Sequence, residues 1–180
     1  MRAVLVLAMV AGSACASSRN QPAASTGEQT VRVVGAGGLT QLSTTTTNRP
    51  SVVTVEMPAE QVWRALPAAY QSVGIELALT DSTRGLLGNP GFRARRRLGG
   101  TVLSRYLDCG HAQGAPSADT YEVHFSVLTE VQRQADGKTI VSTNVDASAR
   151  PINFAGEPVR CLSRGELETR ILDFVKAAGT

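Results

Sequence analysis

The run Tyr121-Glu122-Val123-His124-Phe125-Ser126-Val127-Leu128-Thr129-Glu130-Val131 alternates apolar and polar side chains almost without a break. Tyr121, Val123, Phe125, Val127 and Val131 fall on one side of an extended chain, and Glu122, His124, Ser126 and Glu130 on the other. That period of two describes a strand with one face in a core and one in water. Val141, Thr143, Val145, Ala147 and Ala149 repeat the pattern, and Asp136-Gly137 in the connection is a strong turn pair. The two runs predict a long antiparallel hairpin.

Upstream, Val53, Val55 and Met57 alternate with Thr54 and Glu56, a second half-buried strand. Pro58 suits a first helical position. Ala59, Val62, Trp63, Leu66, Ala69, Tyr70 and Val73 then recur every three or four residues, the spacing of a helix with one buried stripe. Pro67 is expected to kink it and Gly74 to end it. Ile75, Leu77 and Leu79 alternate again, Asp81 to Gly85 reads as a turn, and a partner strand starts at Leu86. Asn89-Pro90-Gly91 is expected to break that strand before it resumes over Phe92 to Leu98. Thr101 to Leu107 fits either a short helix or irregular chain. At the C-terminal end, Ser163 and Glu166 have capping-box spacing, and Leu162 and Leu167 stand where a hydrophobic staple would. Leu167, Ile171, Phe174, Val175 and Ala178 form the stripe of a last helix. The expected order is β-α-β-β-β-β-α, an α+β fold with helices packed on one face of an antiparallel sheet.

Pro58-Ala59-Glu60-Gln61-Val62-Trp63, then Gly74-Ile75, then Asp81-Ser82-Thr83-Arg84-Gly85 resembles the BamC-like helix-grip domains of bacterial outer-membrane lipoproteins. The motif likeness covers residues 52 to 88, and element order alone carries it further. It implies a helix-grip sheet; a function does not travel with a fold. Cys109 and Cys161 are not part of that pattern.

Met1-Arg2, the apolar run Ala3 to Ala11 and the small residues Gly12-Ser13-Ala14 before Cys15 have the grammar of an export leader. The arrangement resembles a bacterial lipobox, which implies acylation of Cys15; Gly12 departs from it, standing where a large aliphatic is usual. Ala14-Cys15-Ala16 also fits an ordinary cleavage site. The apolar run is shorter than the roughly 20 residues of a membrane-spanning helix. Residues 1–14 are thus read as leader, 15–28 as flexible tether and 29–178 as one domain with its core from Ser51. With Cys15 spent on lipid, Cys109 and Cys161 remain as a pair expected to bridge in an oxidising compartment.

The 180 residues are 42% hydrophobic and 18% charged, enough for a packed core, and the net charge is only +3. Lys138 and Lys176 are the only lysines, so cationic chemistry here is arginine chemistry. From residue 82 to 107 stand Arg84, Arg93, Arg95, Arg96, Arg97 and Arg105, with no acid among them. In one strand Arg93, Arg95 and Arg97 would share a face, a candidate contact for anionic headgroups or an acidic partner. The same pattern also describes a charged edge strand guarded against aggregation.

Other chemistry is poorly supported. Val31 to Gly38 has a glycine-rich look, but Leu39 to Pro50 is poor helix, and a dinucleotide site needs a helix there. Cys109, His111 and Cys161 fall short of a four-ligand zinc site, and His124 lies on a strand's polar face. No serine elbow, His-Glu-x-x-His helix or carboxylate pair stands out. Trp63 and Tyr70 read as core rather than ligand platform. The sequence therefore leads to a non-catalytic, lipid-anchored envelope protein facing the periplasm from the outer membrane. Its expected partners are the membrane, through the lipid, and an envelope protein or anionic surface, without nucleic acid, metal or cofactor. The alternative is a small-ligand or lipid carrier with an apolar cavity under the C-terminal helix.

Overall fold

The computed structural model describes residues 25–35, 38–153 and 155–179. Cys15 and the leader lie outside them. Two strands, β1 (Ser25–Gly35) and β2 (Gly38–Asn48), pair antiparallel from Ser25↔Asn48 to Gly35↔Gly38. Valines and a run of threonines favour extended chain here, so regular structure begins at Ser25, inside the segment expected to be tether. The body follows as β3 (Ser51–Val55), α1 (Ala59–Ser72), β4 (Leu79–Asp81) and β5 (Leu86–Arg95). Short elements come next: β6 (Arg97–Leu98), β7 (Thr101–Val102), α2 (Leu103–Tyr106), β8 (Leu107–Asp108), β9 (His111–Ala112), β10 (Ala115–Pro116) and α3 (Ser117–Thr120). The long strands β11 (Glu122–Arg133) and β12 (Thr139–Arg150) precede β13 (Val159–Ser163) and α4 (Glu166–Ala177). The protein is α+β, its sheet mostly antiparallel.

β5, β11 and β12 are the middle of that sheet. β11 and β12 form the expected hairpin, in register from Glu122↔Arg150 to Arg133↔Thr139. Two strands share the far edge of β12. β3 pairs with Thr139 to Thr143, and β13 pairs with Ala147 to Ala149. Asn48 knits this edge: its side-chain amide donates to the Cys161 carbonyl at 3.1 Å, and its Oδ1 accepts from the Ser163 N–H at 3.2 Å. The buried amide thus satisfies backbone groups that would otherwise lack a strand partner.

α1 and α4 pack on each other and on β11 and β12. Val62, Leu66, Ala69 and Tyr70 of α1 and Leu167, Ile171 and Val175 of α4 are fully buried with Val123, Val127 and Ala149 of the sheet. Within this layer the Tyr70 hydroxyl lies 2.9 Å from Thr129 Oγ1, itself 2.9 Å from Thr143 Oγ1, so three buried hydroxyls satisfy one another. Burial pushes the Tyr70 phenol well above its ordinary range. Gly74, which ends α1 at φ +76°, and Gly99 in the β6–β7 turn meet backbone to backbone; a Cβ on Gly99 would come within 2.5 Å of the Val73 carbonyl.

Several local expectations are corrected. Pro58 is the N-cap of α1 rather than its first residue. Of the Ile75–Leu79 run only Leu79 pairs as strand, and β4 continues through Asp81, the first residue of the expected turn. β5 passes through Asn89-Pro90-Gly91 without ending, because a bulge absorbs the extra residue. Asn89 holds it, donating to the Glu76 carbonyl at 2.8 Å and accepting from the Gly91 N–H at 3.0 Å. At α4 the N-cap is Gly165 at φ +78°. Ser163 Oγ accepts from the Gly165 N–H and lies 2.6 Å from Glu168, not Glu166. Glu166 turns instead to Arg170, at 3.1 Å. Phe174 is 37% exposed, and Leu172 takes the place in the buried set expected for it.

Cys109 and Cys161 are both buried and stand at disulfide distance, 2.04 Å between sulfurs, linking the end of β8 to β13. The segment after Gly110, which shows no periodicity in the sequence, contains β9, β10 and the start of α3. No helix among the described residues is long and apolar enough to cross a membrane.

Candidate functional site

Residues directly opposed in an antiparallel ladder share a face. The register sets Arg93 opposite His124, His124 opposite Ser148, and Ser148 opposite Arg160, a row across four strands. Beside it run Arg95, Glu122 and Arg150, and on the other flank Ser126 and Asp146. The alternate positions Ala94, Val123 and Ala149 are buried, so these rows look away from α1 and α4. One residue along, Phe92 and Phe125 are stacked with ring centroids 5.1 Å apart and bind β5 to β11 beneath the row.

Three guanidiniums on this face meet two carboxylates. Arg95 donates to Glu122 Oε2 through Nη2 at 2.7 Å and Nε at 2.9 Å. Arg93 Nη1 and His124 Nε2 stand 3.8 and 3.5 Å from Glu122 Oε1. One carboxylate thus serves three cationic or ionisable groups. The Arg95 hydrogen bond, aided by the Arg93 and His124 charges against some desolvation, holds the Glu122 carboxyl below its ordinary range. Arg160 Nη2 donates to Asp146 Oδ1 at 3.1 Å. Arg93 and Arg95 keep most of their side-chain surface in solvent, 69% and 59%. A groove of about 630 Å³ lies among Arg93, His124, Ser126, Asp146, Ser148 and Arg160. Arg160, Glu122 and Asp146 come from strands whose register a sequence does not print; only the polar alternation of Glu122, His124 and Ser126 signals this face.

Arg97 is not a third step along the same strand. Arg96 adopts φ +61°, and the chain turns back so that Arg97 pairs with Arg95 across a tight β5–β6 connection. Arg97 Nη1 donates to the Gly100 carbonyl at 2.7 Å and holds the next turn. Arg93 and Arg95 keep the spacing of two and share the face.

Two further grooves flank the sheet. On the same face, about 290 Å³ is lined by Pro50, Leu86 and Leu128 with Arg84, Glu130 and Asn144. Beside the N-terminal end of α1, about 530 Å³ is lined by Ala59, Trp63, Arg84 and Val131, where Arg133 pairs with Glu60. Tyr70 is wholly buried, whereas Trp63 packs on the core with part of its ring facing this groove. Gly38 opens a strand, not the helix a dinucleotide site requires. The paired sulfurs of Cys109 and Cys161 offer no thiolate to a metal or an electrophile. The chain matches no protein-family model, and comparison with curated proteins finds no relative.

Proposed function

We propose that this chain is an exported protein of the bacterial cell envelope, anchored through lipid on Cys15 and facing the periplasm from the outer membrane. Its domain is a non-catalytic binding module. The open sheet face, with Arg93 and Arg95 drawing on the single Glu122 carboxylate, is its contact with an anionic partner or surface. The observation that carries this reading is the arginine-rich end of that face, where Arg93, Arg95, Arg150 and Arg160 gather round Glu122 and Asp146. The packing of α1 and α4 on one side supports a helix-grip relationship with the BamC-like domains. A carrier with a cavity under α4 draws no such support. A void able to hold an acyl chain would leave its lining side chains with surface open to it. Val62, Leu66, Tyr70, Leu167, Ile171 and Val175 have none.

The test is cosedimentation of the full chain, carrying Cys15→Ser to remove the anchor, with vesicles of phosphatidylcholine containing anionic phosphatidylglycerol. Binding is expected, with a decline as salt shortens the screening length to about 8 Å at physiological ionic strength. Replacing Arg93 and Arg95 by Gln should weaken it several-fold. Equal binding to neutral vesicles, or an unchanged double variant, would overturn the assignment of this face.

A further inference from the structure

We infer that the open sheet face holds a discrete site for one phosphate-headed amphiphile, its head on the Arg93–His124–Ser148–Arg160 row and its tail along β11. The inference rests on the anion-binding reading above and specifies it. The row sets guanidiniums at both ends, on β5 and β13, with an imidazole and a serine hydroxyl between them and Ser126 one step away. Three strand spacings, roughly 14 Å, separate the backbones of Arg93 and Arg160, so two long side chains can close on a group seated over His124 and Ser148. A carboxylate has two oxygens to share among these donors. A phosphate has more, and suits guanidiniums approaching from two sides.

The face changes character along its length. Four residues on from His124, about 13 Å along the strand, Leu128 points to the same side and lines the second groove with Leu86 and Pro50. Leu86 stands opposite Glu130 in the next row. An apolar tail leaving the row of arginines would run over this leucine pair, which α1 and α4 do not cover because they occupy the other side of the sheet. Arginines at one end and the Leu86–Leu128 pair at the other, even with Glu130 and Asn144 beside it, favour an amphiphile over a free anion. Glu122 and Asp146 are the internal anions such a ligand must displace, since both already engage the arginines it would use.

Titration calorimetry of the full chain carrying Cys15→Ser tests this with three probes: decyl phosphate below its micelle concentration, inorganic phosphate, and decyl maltoside. One-to-one binding of decyl phosphate is expected, at least tenfold tighter than inorganic phosphate, with no binding of the neutral maltoside. Arg93→Gln with Arg160→Gln should cost tenfold or more. Leu128→Thr should bring decyl phosphate down to the affinity of inorganic phosphate. Asp146→Asn should strengthen binding, a gain that damage to the fold would not produce. Equal affinity for both phosphates, or Asp146→Asn without effect, overturns the inference. If decyl phosphate fails to bind while anionic vesicles still bind through Arg93 and Arg95, the discrete site is wrong and the broader reading stands; loss of both removes both.

Discussion

Glu168 and Asp81 are two carboxyls that folding treats in opposite ways. Glu168 is 4% exposed, bonded through one oxygen to Ser163 Oγ, and its Oε2 has no partner among the described residues. Desolvation raises its pKa above the ordinary 4.5, with the Ser163 hydrogen bond opposing. The folded state therefore holds this proton more tightly than the unfolded chain does. The contribution to stability is complete below pH 4.5 and is lost as pH rises through the folded value. Glu168→Gln should flatten that decline, raising the melting temperature at about pH 8 but not at about pH 4; a parallel fall in both proteins would contradict it. Asp81 is held down to about 2. Its chief cause is the Arg84 side chain at 2.7 Å, and the N–H groups of Thr83 and Arg84 add to it. Its contribution has the opposite sign, present above the ordinary 3.8 and lost as pH falls toward 2. Asp81 braces the β4–β5 turn from the surface, where screening keeps such contributions small.

At the scale of elements, β8 and β13 are tied by Cys109 and Cys161, 52 residues apart in sequence. Both ends are buried, and the neighbouring Arg164–Asp108 pair at 3.1 Å clamps the same junction. Replacing both cysteines by Ser should lower stability by about 2–5 kcal/mol by releasing the unfolded chain from a closed loop. Denaturant melting of the two proteins measures it, and an unchanged midpoint would deny the bridge a structural role. The long elements were legible in the sequence because each repeats its pattern over many residues. β11, β12, α1 and α4 all stand where Val123 to Val131, Val141 to Ala149, Val62 to Tyr70 and Leu167 to Val175 put them. The region from Arg97 to Thr120 was not legible, since its strands are two residues long and cannot display a period of two. The bulge at Asn89 and the left-handed turn at Arg96 escaped for a related reason. Both depend on what the neighbouring strand offers, which local spacing does not encode. The same blindness hid that Arg93 and Arg95 share one strand while Arg97 stands opposite Arg95 on the next.

For the whole molecule, helices cover one side of the sheet and leave a polar, arginine-bearing side open. Arg93, His124, Ser148 and Arg160 are far apart in sequence, so only the assembled register brings them into one row. The proposed anchor would concentrate such a face at a membrane, where weak contacts gain from proximity. Cys15→Ser should shift the protein from the membrane fraction to the soluble periplasm; unchanged fractionation would remove the anchor. The most direct test of the binding face is amide chemical-shift mapping of the full Cys15→Ser chain on nanodiscs containing anionic phospholipid. Perturbations are expected to concentrate at residues 92–95, 122–126, 146–150 and 159–161, and to need several-fold more nanodisc in the Arg93→Gln, Arg95→Gln variant. Shifts confined to α1, α4 or the groove at Trp63, with the sheet face unmoved, would contradict the account.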